Sequence, residues 1–150
     1  MQIYVASSWR NMLQPAIVHM LRRCGHDVYD FRNPEPGNDG FRWMEIDPNW
    51  ESWTPSEYRK ALQHPIALKA YEHDISALKN CDCCVLVLPS GRSASWEFGY
   101  AMGQGKKCAV VQFDNCEPEL IYSEADIITT TGELFDMFGE PKPHPILTEK

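Results

Sequence analysis

Along the chain, short unbroken apolar runs alternate with segments whose apolar residues recur every three or four positions. Ile3-Tyr4-Val5-Ala6 is a β-prone opening run, and Leu13, Ile17, Met20 and Leu21 then form one helical stripe. Pro15 falls in that helix's first turn, where the missing N–H costs nothing, and Arg22, Arg23 and Cys24-Gly25 suit its C-terminal end. Asp27-Val28-Tyr29-Asp30-Phe31 alternates as a strand with one less buried face would. Pro65 starts a second helix with Leu68, Tyr71, Ile75 and Leu78 in one stripe. Cys83 to Leu88 is continuously apolar, the pattern of a strand covered on both faces. Ser93 is a good N-cap for the helix that follows. After a turn from Gly103 to Lys107, Cys108 to Phe113 supplies a fourth strand, Glu117 to Ala125 a short helix, and Asp126 to Thr130 a fifth strand. Thr131-Gly132 opens a last helix, Glu133 to Phe138, and the Pro-rich tail 141–150 is expected to be extended.

Strands alternating with helices predict an α/β fold, a doubly wound five-stranded parallel sheet of flavodoxin-like or Rossmann-like type with right-handed crossovers. In strand order 2-1-3-4-5, the loops after the first and third strands flank one crevice at the carboxyl edge of the sheet. That arrangement brings Tyr4, Ser8, Arg10, Ser93 and Glu97 together. Residues 1–150 are expected to form one domain, without internal repeats. Residues 33–64 are the irregular part, rich in Pro, Gly, Asn and Asp yet carrying Phe41, Trp43, Trp50 and Trp53. A loop of this length in a compact domain is usually functional. Its tryptophans must pack on the domain, a second subunit or a substrate base, and packing or an interface is the favoured reading.

Composition narrows the partners. The 150 residues carry a net charge of −7, which disfavours a nucleic-acid polymer or an anionic membrane surface, since both reward a basic patch. No apolar stretch reaches membrane-spanning length and no basic-then-apolar leader opens the chain, so a cytoplasmic location is expected. The six cysteines show no paired C-x-x-C spacing and read as reduced thiols.

The candidate chemistry centres on Leu88 to Ala101. An acidic residue early in a helix is ordinarily a solvated partner of the macrodipole. Glu97, however, shares its helix face with Ala94, Tyr100 and Ala101, none of them charged, and so points a carboxylate along an apolar, small-residue surface. Gly91, Arg92 and Ser93 place backbone amides, a small residue and a guanidinium at the start of that helix, a setting suited to an anion. The loop Ser7-Ser8-Trp9-Arg10-Asn11 offers further contacts from the other side of the crevice. Asp74 sits in the C-terminal half of its helix, where the dipole disfavours a carboxylate.

The chain lacks G-x-G-x-x-G, G-x-x-x-x-G-K-[ST] and G-x-S-x-G, and its five histidines show no metal-ligand spacing. Neither a cofactor nor a metal is therefore expected. Two carboxyl groups beside an anion pocket suit chemistry at an anomeric carbon. One can stabilise or trap the oxocarbenium-like centre, and the other, held protonated, can assist the leaving base.

Ile3-Tyr4-Val5-Ala6-Ser7-Ser8-Trp9, Tyr71-Glu72-His73-Asp74 and Glu97-Phe98-Gly99-Tyr100-Ala101 together resemble the nucleoside 2-deoxyribosyltransferase family. Its relatives include the 2′-deoxynucleoside 5′-phosphate N-hydrolases and the CMP or hydroxymethyl-CMP hydrolases. The resemblance spans roughly residues 2–131 outside the Trp-rich insertion. It implies Glu97 as nucleophile, Asp74 as the residue that contacts the base and helps it leave, Tyr4 as the group orienting the nucleophile, and Ser8 and Arg10 as contacts to sugar or phosphate. Trp9, Asn11, Gly91, Arg92 and Ser93 complete the expected binding residues. Transferases acting on free deoxynucleosides carry an Asp six residues before the nucleophile, and here that position is Gly91. Its absence favours a 5′-monophosphate over a 5′-hydroxyl.

The resulting expectation is cleavage of the N-glycosidic bond of a nucleoside or deoxynucleoside 5′-monophosphate through a glycosyl-Glu intermediate, resolved by water or a second base. A homodimer or higher homo-oligomer is expected, because sites in this family are often completed by a neighbouring subunit. The alternatives are a nucleotide-binding module without turnover and an NAD-type glycohydrolase.

Overall fold

The computed structural model describes residues 1–143; most of the expected extended tail, from 144 onward, lies outside the described residues. Five parallel strands, β1 (Gln2–Ala6), β2 (Asp27–Asp30), β3 (Cys83–Val87), β4 (Lys107–Val111) and β5 (Asp126–Ile128), form one sheet in the order β2-β1-β3-β4-β5. This is the doubly wound order expected from the alternation of elements. Every residue of β3 is buried, as its unbroken apolar run requires at the centre of a sheet covered on both faces.

Two apolar layers sandwich the sheet. On one face Ile3, Val5, Val85 and Val87 pack with Ile17, Val18 and Leu21 of α1 (Gln14–Arg23) and with Leu134 and Phe138 of α5 (Thr131–Phe138). On the other, Tyr4, Ala6, Cys84, Leu86 and Val110 pack with Leu78 of α3 (Pro65–Asn80) and with Ala94, Phe98 and Ala101 of α4 (Arg92–Gly103). The period of two along each strand thus sends Tyr4 to the α3/α4 side, where both candidate carboxylates are carried. All six cysteines are free thiols, four of them buried.

Three expectations need correction. The N-cap of helix α4 is Gly91, two residues before the expected Ser93, so Ser93 lies inside the first turn. The segment 33–64 is not wholly irregular: α2 (Pro55–Ala61) is set by a capping box in which Thr54 and Glu57 exchange hydrogen bonds, preceded by 3-10 turns at Trp43–Glu45 and Trp50–Ser52. The Glu117–Ala125 segment is a 3-10 turn over Leu120–Glu124 rather than an α-helix. Two of the insertion's tryptophans pack on its own aromatics, with Trp43 against Phe41 at 4.8 Å, Trp53 at 5.6 Å and Tyr58 at 5.9 Å between ring centroids, whereas Trp50 is exposed. Trp53 also donates its indole N–H to Asp47 at 2.7 Å.

The stripe on α3 is buried only in its second half. Leu78 is 1% exposed, whereas Leu68 and Tyr71 are 40% and 57% exposed. Length explains the difference: 16 residues of helix span about 24 Å, and a five-residue strand covers only about 17 Å. The exposed N-terminal end of α3 therefore overruns the sheet by about 7 Å, and Asp74 lies in the partly buried stretch between the exposed Tyr71 and the buried Leu78.

Candidate functional site

Two loops enclose the crevice and are tied to each other. Ser7 Oγ donates to Val87 O at 2.8 Å, and Asn11 Nδ2 donates to Val87 O at 3.1 Å and to Pro89 O at 3.0 Å. Asn11 Oδ1 accepts from Leu13 N at 2.8 Å, so this 4%-exposed amide is fully engaged in holding the β1 loop to the end of β3. Ser8 Oγ accepts from Arg10 N at 3.1 Å. The Ser8 side chain faces Gly91, where an added Cβ would lie 4.0 Å from Ser8 Cβ with nothing closer. Arg10, Arg92 and Ser93 are exposed along the rim. Trp9 is also partly exposed, but it is already in edge contact with Phe31 at 5.2 Å, and the guanidinium of Arg42 lies 5.1 Å from its ring.

Tyr4, Glu97 and Asp74 come together under this rim. Glu97 sits on α4 between the buried Ala94 and Ala101, the small-residue face foreseen from spacing. Burial and the nearby charge of Asp74 push its carboxyl up to about 8, and Tyr4 opposes that shift. The Tyr4 hydroxyl is wholly buried and makes no hydrogen bond of good geometry, while lying close enough to Glu97 to favour its anion. Burial also raises the Asp74 carboxyl, against the effect of Tyr29 and His73.

Tyr29 is the residue that sequence reasoning passed over. Its hydroxyl donates to Asp74 Oδ1 at 2.7 Å, and its ring stacks on that of Tyr4 at 5.2 Å and 17°. The register of the sheet pairs Tyr4 with Tyr29, which places both rings on the same face. The alternation of Asp27 to Phe31 was the available signal, since it put Val28 and Asp30 on one face of β2 and Tyr29 on the other. The two carboxylates are thus each served by one tyrosine of a stacked pair.

Tyr29→Phe removes the only side-chain donor to Asp74 among the described residues. The anionic form of Asp74 then loses a hydrogen bond worth about 1–2 kcal/mol. The expected outcome is a further rise of the Asp74 pKa. Carboxyl-selective NMR titration of wild type and variant checks it; an unchanged Asp74 titration would remove Tyr29 from the site.

Hollow volume does not pick out this crevice. A cavity of about 510 Å³ runs along the β2 edge beneath residues 33–39 and touches Tyr29 but neither carboxylate. A smaller one of about 260 Å³ lies between α4 and the Leu120–Glu124 turn. Among the described residues, no group of three or more His, Cys, Asp or Glu is placed to hold a metal ion, and no helix is long and apolar enough to cross a membrane.

No family model and no curated protein sequence matches the chain. Among solved structures it is similar to the 2-deoxyribosyltransferase of the psychrotolerant bacterium Bacillus psychrosaccharolyticus, a protein characterised as a biocatalyst for synthesis of antiviral and antitumoral nucleosides. The two share 18% identity and superpose with a TM-score of 0.57 over 96% of this chain and 99% of the other. At that identity the likeness speaks for architecture, and this chain adopts the fold of a 2-deoxyribosyltransferase.

Proposed function

We propose that this protein cleaves the N-glycosidic bond of a deoxynucleoside 5′-monophosphate, with Glu97 as nucleophile. The observation that carries this reading is the buried pair Glu97 and Asp74, both with raised pKa values, each beside one of the stacked tyrosines Tyr4 and Tyr29. Like charges confined to one buried site favour holding a single proton between them. With that proton on Asp74, the charge that disfavours the Glu97 anion is gone. In the free protein the shared proton rests on Glu97, whose carboxyl is pushed up to about 8; the reactive state is the one with the proton moved to Asp74 and Glu97 ionised, which is the division of labour that N-glycoside cleavage needs.

In the first step a Glu97 oxygen forms a bond to C1′ while the C1′–N bond breaks. Its electron pair leaves with the base, which takes the proton of Asp74. In the second, water attacks C1′ as the ester C1′–O bond breaks, returning the carboxylate to Glu97 and a proton to Asp74. A second base in place of water gives transfer instead. The 5′-phosphate is assigned to the amides at the start of α4 and the rim groups Ser8, Arg10, Arg92 and Ser93.

Intact-protein mass spectrometry after brief exposure to deoxynucleoside monophosphates tests the reading. A deoxyribosyl phosphate adduct on wild type that is absent from Glu97→Gln supports it. Tight binding with no base released over hours would replace it with a nucleotide-binding module.

The phosphate assignment has its own test at Gly91. Its backbone is extended, with φ −95° and ψ 178°, and a Cβ there meets no atom closer than 4.0 Å. Gly91→Asp is therefore tolerated, and Asp is a favourable N-cap. The new carboxylate repels a phosphate dianion and can instead accept a 5′-hydroxyl. Relative kcat/KM for monophosphate over nucleoside is expected to fall by about 100-fold, or about 2.7 kcal/mol. Free deoxynucleosides turning over faster than monophosphates in the wild type would overturn the assignment.

A further inference from the structure

Arg32 follows β2 and lies outside every motif discussed above, yet its guanidinium reaches into the β1 loop. Its Nη2 donates to Ser8 O at 3.1 Å, Trp9 O at 2.9 Å and Asn11 O at 2.8 Å. The guanidinium carbon lies 5.5 Å from the Trp9 ring and 5.9 Å from the Phe31 ring, so aromatic contact restrains the head as the carbonyls draw it in. Arg32 N is itself held by Asp30 Oδ1 at 3.0 Å, and the same carboxylate accepts from Gln14 Nε2 at 2.8 Å. The cation is thereby anchored to β2 and α1, two rigid elements. Gly40, at φ +78°, lets the insertion close over this stack, since a Cβ there would come within 2.8 Å of Trp9.

Three carbonyls of one short loop converging on one nitrogen is a costly arrangement unless a cation holds it. Because trans peptides are planar, each N–H points opposite to the preceding carbonyl. The amides of Trp9, Arg10 and Met12 are therefore turned away from Arg32. Arg10 N–H goes to Ser8 Oγ at 3.1 Å. The Trp9 and Met12 amides have no acceptor among the described residues.

We infer that Arg32 is a positioning residue that shapes the Ser8–Asn11 loop into an anion-binding conformation, turning its carbonyls inward and its free amides outward for a phosphate group. It acts through the loop and does not touch the substrate. The identity of the bound group as a substrate phosphate rests on the function proposed above; the clamp on the loop does not.

The test combines loop exchange, phosphate binding and kinetics in wild type, Arg32→Gln and Arg32→Lys. In Arg32→Gln, hydrogen exchange of the residue 9–12 amides is expected to quicken at least tenfold, with Val85 and Val110 in the sheet unchanged. Inorganic phosphate should shift the Trp9 and Met12 amide resonances in wild type and not in this variant. KM for a deoxynucleoside monophosphate should rise tenfold or more, with kcat within about threefold. Arg32→Lys, which keeps the cation but not the planar fork, should fall between the two. It also carries the test if the Gln variant does not fold. Unchanged exchange and phosphate shifts, or a loss confined to kcat, would overturn the inference. A wild type without turnover whose loop still loosens in Arg32→Gln would sink the proposed reaction and leave the clamp standing.

Discussion

Glu97→Gln is expected to abolish base release while making the protein more stable. The amide cannot form the glycosyl ester, so kcat should fall on the order of 10⁴-fold or more, as for other removed nucleophiles. Stability moves the other way because the native fold holds Glu97 in its neutral form. Its pKa is about 8 in the folded chain against a reference of 4.5. Between those values the folded state keeps a proton that the unfolded state has released, so stability declines as pH rises from 4.5 to 8. At about 1.4 kcal/mol per pKa unit, the full displacement corresponds to at most about 5 kcal/mol. Gln is neutral throughout and escapes this penalty. Allowing for the Tyr4 interaction that the amide reproduces incompletely, the variant should gain about 2–4 kcal/mol at pH 8 and little at pH 4.5. In a chain of this size that is a Tm increase of about 5–15 °C at pH 8. Calorimetry across that pH range checks it, and a Tm difference independent of pH would mean that Glu97 is ionised in the free protein.

For Asp74→Asn the expected signature is in the pH profile. The wild type should show a bell-shaped kcat/KM, since the productive state carries one proton between the two carboxyl groups. Activity falls below the pH at which both become protonated and above about 8, where the shared proton is lost. Asn cannot supply the proton, so the rate for an ordinary base should drop by about 10²–10⁴-fold. It also removes the negative charge that helps to raise Glu97, so the Glu97 pKa should move down from about 8. The alkaline limb then disappears, leaving a profile that rises once to a plateau. A substrate whose base leaves without protonation should recover most of the loss. If the alkaline limb persists unchanged in Asp74→Asn, the shared proton is not on this pair.

The stacked tyrosines give both effects a common physical origin. Tyr4 and Tyr29 present stacked aromatic surface beside the carboxylates, which helps to desolvate them; Tyr29 donates its hydroxyl to Asp74, and the unpartnered Tyr4 hydroxyl lies near Glu97. Removing water is what raises the two pKa values, and the hydroxyls limit how far they rise. A site built this way is destabilising at neutral pH, as strained functional sites commonly are.

Much of this architecture was legible from residues close in sequence. The apolar runs at Ile3–Ala6 and Cys83–Leu88 and the stripe of the first helix locate the elements, because burial on one or two faces imposes the periods of 3.6 and 2 directly on the chain. The apolar face around Glu97 is local too, since residues three and four apart on a helix are neighbours wherever that helix packs. The extent of the Trp-rich insertion was visible, but α2 within it was not read, although Thr54-Pro55-Ser56-Glu57 carries its capping box.

What only the tertiary structure decided is how residues far apart in the chain meet. Tyr29 reaches Asp74 across 45 positions, because the parallel register sets it beside Tyr4 and α3 carries Asp74 in its partly buried stretch. Arg32 reaches back to the carbonyls of Ser8, Trp9 and Asn11, a contact that leaves no periodic trace because backbone acceptors carry no residue identity. Residue identities by themselves determined which groups could do chemistry, whereas desolvation, register and the convergence of separate loops determined their protonation and pairing. Those properties belong to the packed interior, whose low dielectric exists only once the whole chain has folded around Tyr4.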